Sequence, residues 1–399
     1  MTITRESARC FMPYPDAPVE HAASGPLAGL SFAVKDLFNV AGYPTGGGNP
    51  HVLALSGIKA AHAATVAKLL GAGARFAGKT HTDELAFSMN GQNAHYGAPV
   101  NGAAPDRITG GSSSGSASAV SNQFCDFAIG TDTGGSIRTP ANHCNLYGIR
   151  PTHGRISLAG ALDLAPGFDT CGFFTRDAAT FKKVANVLLG ADSAPLPAKP
   201  RLLLADDVFG LLSAAVLQSQ QPALQKLRGQ LGEMTPVQAG LPDFDTLYWA
   251  FRRIQGWEAW RVDGAMIEKY GLMLGSGVKE RFAWSKAVTQ QQFEESSAIR
   301  EQYRAMLGKL LGSNGVLVLP TMPGPAPLSS TPEAELDAYR NDAIRMLCLS
   351  GLAGFPQISL PLGAHDGAPL GISILGPAGS DASLVAIAAR LVDGVPLNA

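Results

Sequence analysis

The chain has 399 residues, enough for one large hydrophobic core or for two or three ordinary domains. Its 31 Lys and Arg residues and 32 Asp and Glu residues leave a net charge of −1, so no basic surface is indicated for nucleic acid or an anionic membrane. Hydrophobic residues make up 46% of the chain, which excludes an intrinsically disordered protein.

The cysteine pattern and the lack of membrane segments indicate a compartment. No two of the five cysteines have the spacing of a zinc site or of a disulfide framework, so no metal is expected. No apolar run approaches the roughly 20 residues of a membrane-spanning helix, and the first residues do not resemble a secretion signal. We therefore expect a cytoplasmic protein. The cysteines are Cys10, Cys125, Cys144, Cys171 and Cys348.

Along the first half of the chain, short apolar runs alternate with helical patterns, as in α/β proteins. Residues 30–34 are predicted to form a strand, and residues 60–70 a helix that ends at Gly71. Residues 127–129 form a predicted buried strand before a Gly-rich turn. Asp177 is expected to cap a helix that follows it directly.

Residues 207–312 differ from the rest of the chain, because they contain all four tryptophans and long helical periodicities. One helix there carries an apolar stripe that we expect to pack in the core, formed by Ile299, Tyr303, Met306 and Leu310. The tryptophans are expected either to pack between helices or to face an aromatic substrate.

The last part of the chain returns to short strands and helices. Strands are predicted at residues 316–319, 358–360 and 371–375, and helices at 333–350 and 380–392. No repeat and no flexible linker is present, so we expect one domain over residues 1–399. In it, residues 27–176 and 315–399 form the core that carries the site, and residues 207–312 form a helical excursion that shapes the substrate pocket.

One segment matches a phosphate-binding loop letter for letter. Residues 73–80 (GARFAGKT) fit the pattern G-x-x-x-x-G-K-[ST]. A phosphate loop lies between a strand and a helix that opens at the lysine. Here a predicted helix precedes the segment and residues 74–77 themselves are predicted as a strand. We therefore do not expect nucleotide binding.

Three other segments combine the groups needed for nucleophilic catalysis: Lys35 after the first strand, residues 110–117 (GGSSSGSA) and residues 130–138 (GTDTGGSIR). Each alone is compatible with an ordinary turn or a strand-end lysine. Together they supply backbone amides for an oxyanion hole and serine hydroxyls, which need a base. Lys35 lies beside an apolar run, where desolvation would lower its pKa and make it a neutral base. No histidine lies near these motifs in a triad-like context, although His143 follows downstream.

These segments resemble the signature of the amidase signature family, which uses a Ser–Ser–Lys triad. The resemblance runs from about residue 26 to 176 and resumes at 318–321 and 354–375. It implies that Ser136 is the nucleophile, that Ser112 is the middle serine in a cis peptide after Gly111, and that Lys35 is the base. It also implies an α/β fold, a single domain with a mixed, twisted β-sheet covered by helices on both sides.

The resemblance further implies an acyl-enzyme mechanism without metal or organic cofactor. The backbone N–H groups of Thr133, Gly134, Gly135 and Ser136 are expected to stabilise the oxyanion. Gly111 and Asp132 are expected to support the site structurally.

Within the family, the strings at residues 88–97 and 315–321 look most like those of amidases that hydrolyse indole-3-acetamide. We therefore expect an aryl or apolar primary amide as substrate, with Phe87 and Phe168 as candidate pocket residues. Arg138 is expected either to bind a substrate anion or to brace the Gly-rich loop through Asp132, and bracing is favoured because buried arginines are usually paired.

Two other functions remain open at this point. The family also contains the glutamine-hydrolysing subunits of amidotransferase complexes, which need partner chains. A non-catalytic binding scaffold is disfavoured because all three triad residue types are present. For a stand-alone amidase we expect a small-molecule amide as the partner, no nucleic acid and no membrane, and a monomer or homodimer.

Overall fold

The fold is built on one mixed β-sheet, seen in a computed structural model that describes residues 3–393. Residues 1–2 and 394–399 of the expected domain lie outside the described residues. Ten of the described strands form this sheet in the order β2-β1-β3-β5-β4-β9-β12-β8-β6-β7, and β10 and β11 form a small hairpin. The strands are β1 (Ser31–Lys35), β2 (Arg75–Thr80), β3 (Phe127–Asp132), β4 (Tyr147–Arg150), β5 (Thr170–Thr175), β6 (Arg201–Ala205), β7 (Met234–Val237), β8 (Gly315–Pro320), β9 (Gln357–Leu360), β10 (Ala364–His365), β11 (Ala368–Pro369) and β12 (Ile372–Leu375).

Helices cover this sheet, and every residue of β1, β3, β5 and β8 is buried. Because successive side chains of a strand point to opposite faces, complete burial means that both faces are covered. The helices are α1 (Pro50–Ser56), α2 (Ala64–Gly71), α3 (Ser114–Ser121), α4 (Arg138–His143), α5 (Ala178–Leu188), α6 (Asp206–Phe209), α7 (Ala214–Leu231), α8 (Phe244–Tyr270), α9 (Val278–Ala287), α10 (Gln290–Leu311), α11 (Glu333–Ala353) and α12 (Asp381–Asp393). The predicted α/β class with a mixed sheet is confirmed.

The direction of the strands places the ends of β1 and β3 side by side. β1 pairs in parallel with both β2 and β3, whereas β5 pairs antiparallel with β3. Lys35 and Asp132 are the last residues of two parallel neighbours, so they lie at the same edge of the sheet. The chain segments that follow these two strands therefore meet at that edge.

The helical segment between β7 and β8 consists of α8, α9 and α10. The predicted apolar stripe lies on α10, where Tyr303 is buried and Ile299, Met306 and Leu310 pack partly buried against the core. Helix α10 packs against α8 and α11, so the stripe is a packing surface, as predicted.

Helix α2 begins four residues later than the sequence pattern predicted. Ala63 has extended backbone angles, with ψ at 147°, and its N–H donates to the carbonyl of Asn39. The chain before Ala64 is therefore held by a neighbouring loop and does not form a helical turn. Periodicity alone gave no sign of this tertiary contact.

The segment that matches a phosphate loop forms strand β2, as its inverted context predicted. Lys79 lies in this strand, buried, with its Nζ 2.9 Å from Asp36 Oδ1 and donating to the Phe38 carbonyl at 2.6 Å. No helix begins at this lysine. The ammonium group is thus paired inside the protein and does not face a phosphate.

No helix among the described residues is long and apolar enough to cross a membrane.

Candidate active site

The lysine at the end of β1 contacts the serine that precedes α3. Lys35 Nζ donates hydrogen bonds to Ser112 Oγ at 2.7 Å and to Thr131 Oγ1 at 2.8 Å. These three residues come from β1, the loop before α3, and β3. The structure therefore brings together two of the three groups predicted for the triad.

Lys35 is fully buried in this position. Burial lowers the pKa of Lys35 from its ordinary value to about 7, because the charged form loses its hydration, although the carboxylates of Asp83, Asp169 and Asp132 act in the opposite direction. A lysine with this pKa is partly neutral at pH 7. It can therefore accept a proton, which an ordinary lysine cannot do.

Hydrogen bonds to its backbone carbonyl hold Ser112 in place. The Gly111–Ser112 peptide bond is cis, and the Ser112 carbonyl accepts hydrogen bonds from the Asp83 amide at 3.1 Å and from Thr82 Oγ1 at 3.0 Å. A Cβ atom at residue 111 would collide with the Asp83 carboxylate. Glycine at this position thus allows Asp83 to lie against the serine loop.

Asp83 was not predicted from the sequence. Its Oδ2 accepts from the Gly91 amide at 3.0 Å, its Oδ1 is buried without a hydrogen-bond partner, and burial raises its pKa. Its charge also acts on Lys35. The one available signal was its place shortly after β2, the strand beside β1.

The loop that contains Ser136 is organised around the carboxylate of Asp132. Asp132 Oδ1 accepts from the Gly135 amide at 2.9 Å, and its Oδ2 accepts from the Ile137 amide at 3.1 Å. Of the four amides predicted for the oxyanion hole, that of Gly135 therefore donates to Asp132. Residues Thr133, Gly134 and Ser136 line the adjacent cavity.

Two buried arginines neutralise Asp132. Arg138 Nε and Nη2 donate to its two oxygens at 3.0 and 2.9 Å, and Arg150 Nη1 donates to Oδ1 at 2.9 Å. Burial by itself would raise the pKa of Asp132, but the two guanidinium groups outweigh it and hold the pKa well below the ordinary value. The carboxylate is therefore charged and can orient the amides of the loop.

Arg138 has no free face toward a substrate. Its Nη1 donates to the Leu347 carbonyl at 2.8 Å and to Gln357 Oε1 at 2.7 Å, in addition to its bonds with Asp132. Of the two roles expected for Arg138, these contacts are those of the brace.

Ser136 lies in a small cavity, called the inner cavity below. Its volume of about 10 Å³ leaves room for about one water molecule. Among the described residues no hydrogen bond joins the Ser136 hydroxyl to Ser112. Catalytic hydrogen bonds of this kind often form only when substrate is bound. The lining residues are Ala86, Phe87, Ser88, Met89, Thr133, Gly134, Ser136, Phe251, Gln255, Arg340 and Ile344.

Of the two aromatic residues predicted for the pocket, only Phe87 lines the inner cavity. Phe168 is fully buried and packs against Phe251, with ring centroids 4.8 Å apart. It is Phe251, on α8, that lines the cavity. The structure thus does not bring Phe168 to Ser136, because a helix from the middle of the chain comes between them.

A second cavity of about 380 Å³, called the outer cavity below, lies next to the inner one. Arg340 lines both cavities. Trp249 and Trp284 line the outer cavity, whereas Trp257 stacks on Phe293 at 5.5 Å. Trp257 therefore packs between helices, as one of the two expectations had it, whereas a role of Trp249 and Trp284 in facing a substrate stays a prediction.

Sequence reasoning missed every cavity residue that comes from α8 and α11. Phe251, Gln255, Arg340 and Ile344 lie more than a hundred residues after Ser136 in the chain, within regular helical patterns. Their polar and apolar residues look like ordinary helix faces. Nothing in the local sequence indicates that these helices reach the loop that contains Ser136.

Comparison with known proteins adds to this geometry. The model of the amidase family matches residues 7–219 and 268–385 of the chain. Amidase 1 of Arabidopsis thaliana is 37% identical, over 93% of this chain and 94% of its own. The A subunit of the glutamyl-tRNA(Gln) amidotransferase of Methanothermobacter thermautotrophicus is 30% identical, over 91% of this chain and 84% of its own. A solved structure of an amidase is 32% identical with a TM-score of 0.83, and the match covers 93% of this chain and 86% of that one.

Proposed function

Because the chain belongs to the amidase family and is a hydrolase of C–N bonds, we propose that it converts a small carboxylic amide to the acid and ammonia through a triad of Ser136, Ser112 and Lys35. The observation that carries this proposal is the 2.7 Å hydrogen bond between Lys35 Nζ and Ser112 Oγ in a fully buried setting. A serine hydroxyl is a weak nucleophile, so it needs a base within reach.

The first half of the reaction forms an acyl-enzyme. Ser136 Oγ attacks the amide carbonyl carbon while its proton passes through the Ser112 hydroxyl to neutral Lys35. The negative charge on the carbonyl oxygen is stabilised by backbone N–H groups of Thr133, Gly134 and Ser136. The C–N bond then breaks, and the proton returns from Lys35 through Ser112 to the leaving nitrogen, which departs as ammonia.

The second half hydrolyses the ester that joins the acyl group to Ser136. Water attacks the ester carbonyl and gives its proton to Lys35 through Ser112. The Ser136 oxygen then leaves and recovers a proton by the same route. The carboxylic acid is released, and no metal or organic cofactor takes part in this scheme.

We propose that the acyl part next to the scissile carbonyl is apolar or aromatic, as in indole-3-acetamide. Phe87, Met89, Phe251 and Ile344 line the inner cavity and support this proposal. Burial of apolar substrate surface against them would contribute about 25 cal/mol per Å². Since the inner cavity holds about one water molecule, the side chains around it must move to admit an indole ring.

An alternative is a glutamine-hydrolysing amidotransferase component that supplies ammonia to partner chains. The 30% identity to the amidotransferase of Methanothermobacter thermautotrophicus supports it. We favour an amidase that works in the cytoplasm as a monomer or homodimer, without nucleic acid. The five cysteines, all buried and free, are compatible with a reducing compartment.

The test is ammonia release by the purified chain from indole-3-acetamide, phenylacetamide and glutamine. Ser136→Ala should lower kcat/KM at least about 10⁴-fold without loss of the folded state, as for other nucleophiles of this kind. Ser219→Ala, on α7, is the matched control and should keep activity. A fluorophosphonate should label Ser136 in the wild-type protein. Labelling of another serine would contradict the assignment, and a clear preference for glutamine would favour the alternative.

A further inference from the structure

Three arginines that are buried or nearly so line the outer cavity. Arg252 is on α8, Arg281 on α9 and Arg340 on α11, and all three line the outer cavity. Arg252 and Arg340 are 8% and 5% exposed, and the side chain of Arg281 is 10% exposed. Arg340 also lines the inner cavity beside Ser136. Arg340 thus brings a positive charge next to Ser136, the proposed nucleophile.

Two of these guanidinium groups have no carboxylate in direct contact among the described residues. The Nε atoms of Arg252 and Arg340 are buried without any hydrogen-bond acceptor, and no carboxylate oxygen of the described residues lies within 4.0 Å of either side chain. Arg281 is better satisfied, since its Nε donates to the Phe87 carbonyl at 2.6 Å and its Nη1 lies 3.7 Å from Asp337.

The acidic residues around the outer cavity do not pair with the guanidinium groups of Arg252 and Arg340. Glu280 accepts from the Gly277 amide at 2.6 Å, and Glu333 accepts from Ser276 Oγ at 3.0 Å. Asp337 is 45% exposed and is shared with Arg281. The charge of Asp337 also acts on Arg252 and Arg340, but no carboxylate oxygen among the described residues lies within 4.0 Å of either guanidinium group.

Such an arrangement is costly without a ligand. Arginine does not lose its proton in proteins, and a buried charge is expensive unless it is paired. Burial lowers the pKa of Arg340 well below its ordinary value and the charges of Arg252 and Arg281 lower it further, whereas Tyr248 and the carboxylate of Asp337 act in the opposite direction. Aromatic faces keep Arg252 in place, because its guanidinium lies 5.1 Å from the ring of Trp284.

We infer that Arg252 and Arg340 form a subsite for a carboxylate of the substrate, so that among amides with an apolar part next to the scissile carbonyl, those that also carry an ionised carboxylate are preferred over neutral ones such as indole-3-acetamide. This inference rests on the proposed function and names its substrate class. The planar guanidinium fork matches a carboxylate with two hydrogen bonds. Phe87 and Phe251 contact the apolar part of the substrate, and the acid group extends past them to Arg340.

The inner cavity also distinguishes such substrates from glutamine. Its lining, within the part of the chain that the structure describes, contains no carboxylate, so the ammonium group of an amino acid would be buried without an anionic partner. An amide with one carboxylate and no ammonium group therefore fits the inner cavity better. Glutaramate, which differs from glutamine only in lacking the amino group, is the direct comparison.

The first experiment compares kcat/KM of the wild-type protein for matched pairs of amides. Glutaramate is paired with pentanamide, 4-carboxyphenylacetamide with phenylacetamide, and succinamate and adipamate test the chain length. We expect the best carboxylated member to exceed its neutral partner by about 10- to 100-fold, which is the effect of a hydrogen bond to a charged group. Neutral members that react equally well or better in every pair would overturn the subsite.

The second experiment assigns the preference to the arginines. Arg340→Met should bring the ratio of kcat/KM between carboxylated and neutral partners close to one, mainly through KM. Arg345→Met is the matched control, because Arg345 is on the same helix but pairs outward with Asp245 at 2.9 Å. It should keep the wild-type ratio. If Arg340→Met does not fold, Arg252→Gln replaces it with the same expected loss.

If the protein hydrolyses none of these amides, the subsite can still be tested by binding. In that case the proposed function fails, while calorimetric binding of glutaramate to the wild-type chain, weakened at least tenfold in Arg340→Met, still supports the subsite. Absence of glutaramate binding, or equal binding to both proteins, would overturn the subsite whatever the activity.

Discussion

Two groups of buried arginines lie near Ser136, the proposed nucleophile, and they differ in what balances their charge. Arg138 and Arg150 share the carboxylate of Asp132, and all three side chains are fully buried. Arg252 and Arg340, which line the outer cavity, have no carboxylate within 4.0 Å among the described residues. The first group is complete within the chain and fixes a loop. The second group is incomplete and is therefore suited to a ligand.

Substitution of Lys35 is expected to have the largest effect on activity. Like Arg340, Lys35 is a buried cation, but unlike an arginine it can lose its proton. Lys35→Met should lower kcat/KM by at least about 10⁴-fold, the scale seen when a triad member is removed. Lys35→Arg should lose as much activity although the charge is kept. A Lys35→Arg variant with activity near wild type would show that Lys35 is not the base.

Breaking the ion pairs of Asp132 with Arg138 and Arg150 should lower the free energy of unfolding. Asp132→Asn leaves Arg138 and Arg150 buried without a counter-charge, so we expect the free energy of unfolding to fall by about 3–5 kcal/mol. Urea denaturation followed by circular dichroism measures this change. Asp245→Asn, which breaks an exposed pair with Arg345, is the control and should cost less than about 1 kcal/mol. Equal losses in the two variants would remove the distinction between them.

Removing an arginine of the second group, Arg252 and Arg340, should not lower the free energy of unfolding. Arg340→Met removes a buried, unpaired charge, so without ligand we expect unchanged stability or a gain of about 1–4 kcal/mol in the free energy of unfolding. The same denaturation assay applies. A loss as large as that of Asp132→Asn would mean that Arg340 is a structural residue.

The pH profile separates Lys35 from both arginine groups. Its pKa is lowered to about 7, so the neutral form that accepts a proton predominates above that pH. We expect kcat/KM to fall about tenfold per pH unit below pH 7 and to level off above it. Carboxylated and neutral amides should show the same acid limb, because arginines do not titrate in this range. A profile that stays flat to pH 5 would contradict a lysine base.

The sequence predicted the surroundings of Lys35, Ser112 and Asp132 far better than those of Arg252 and Arg340. Lys35, Ser112 and Asp132 lie in short segments next to strands, where small residues and buried runs leave a local pattern. The predicted strand at 127–129 appears as Phe127–Asp132, and that at 316–319 as Gly315–Pro320. Such segments could be identified because their chemistry and their secondary structure are encoded within a few residues.

The surroundings of Arg252 and Arg340 depend on contacts between helices that are far apart in the sequence. Arg340 lies within a regular helix and looks like a surface residue until α8 and α10 pack against α11. Phe168 was predicted for the pocket and Phe251 was not, because only the packing shows which ring lines the inner cavity. The engagement of the Gly135 amide by Asp132 also required the folded loop. These features arise from tertiary packing that no single segment encodes.

The position of helices α8 to α10 between β7 and β8 has an evolutionary consequence. The proposed triad lies entirely before residue 137, whereas Phe251, Arg252 and Arg281 belong to this single later segment. Mutations in the segment can alter the shape and charge of the outer cavity without changing the residues of the proposed triad. A library confined to residues 244–311 would therefore search for new substrates while the catalytic machinery is inherited unchanged.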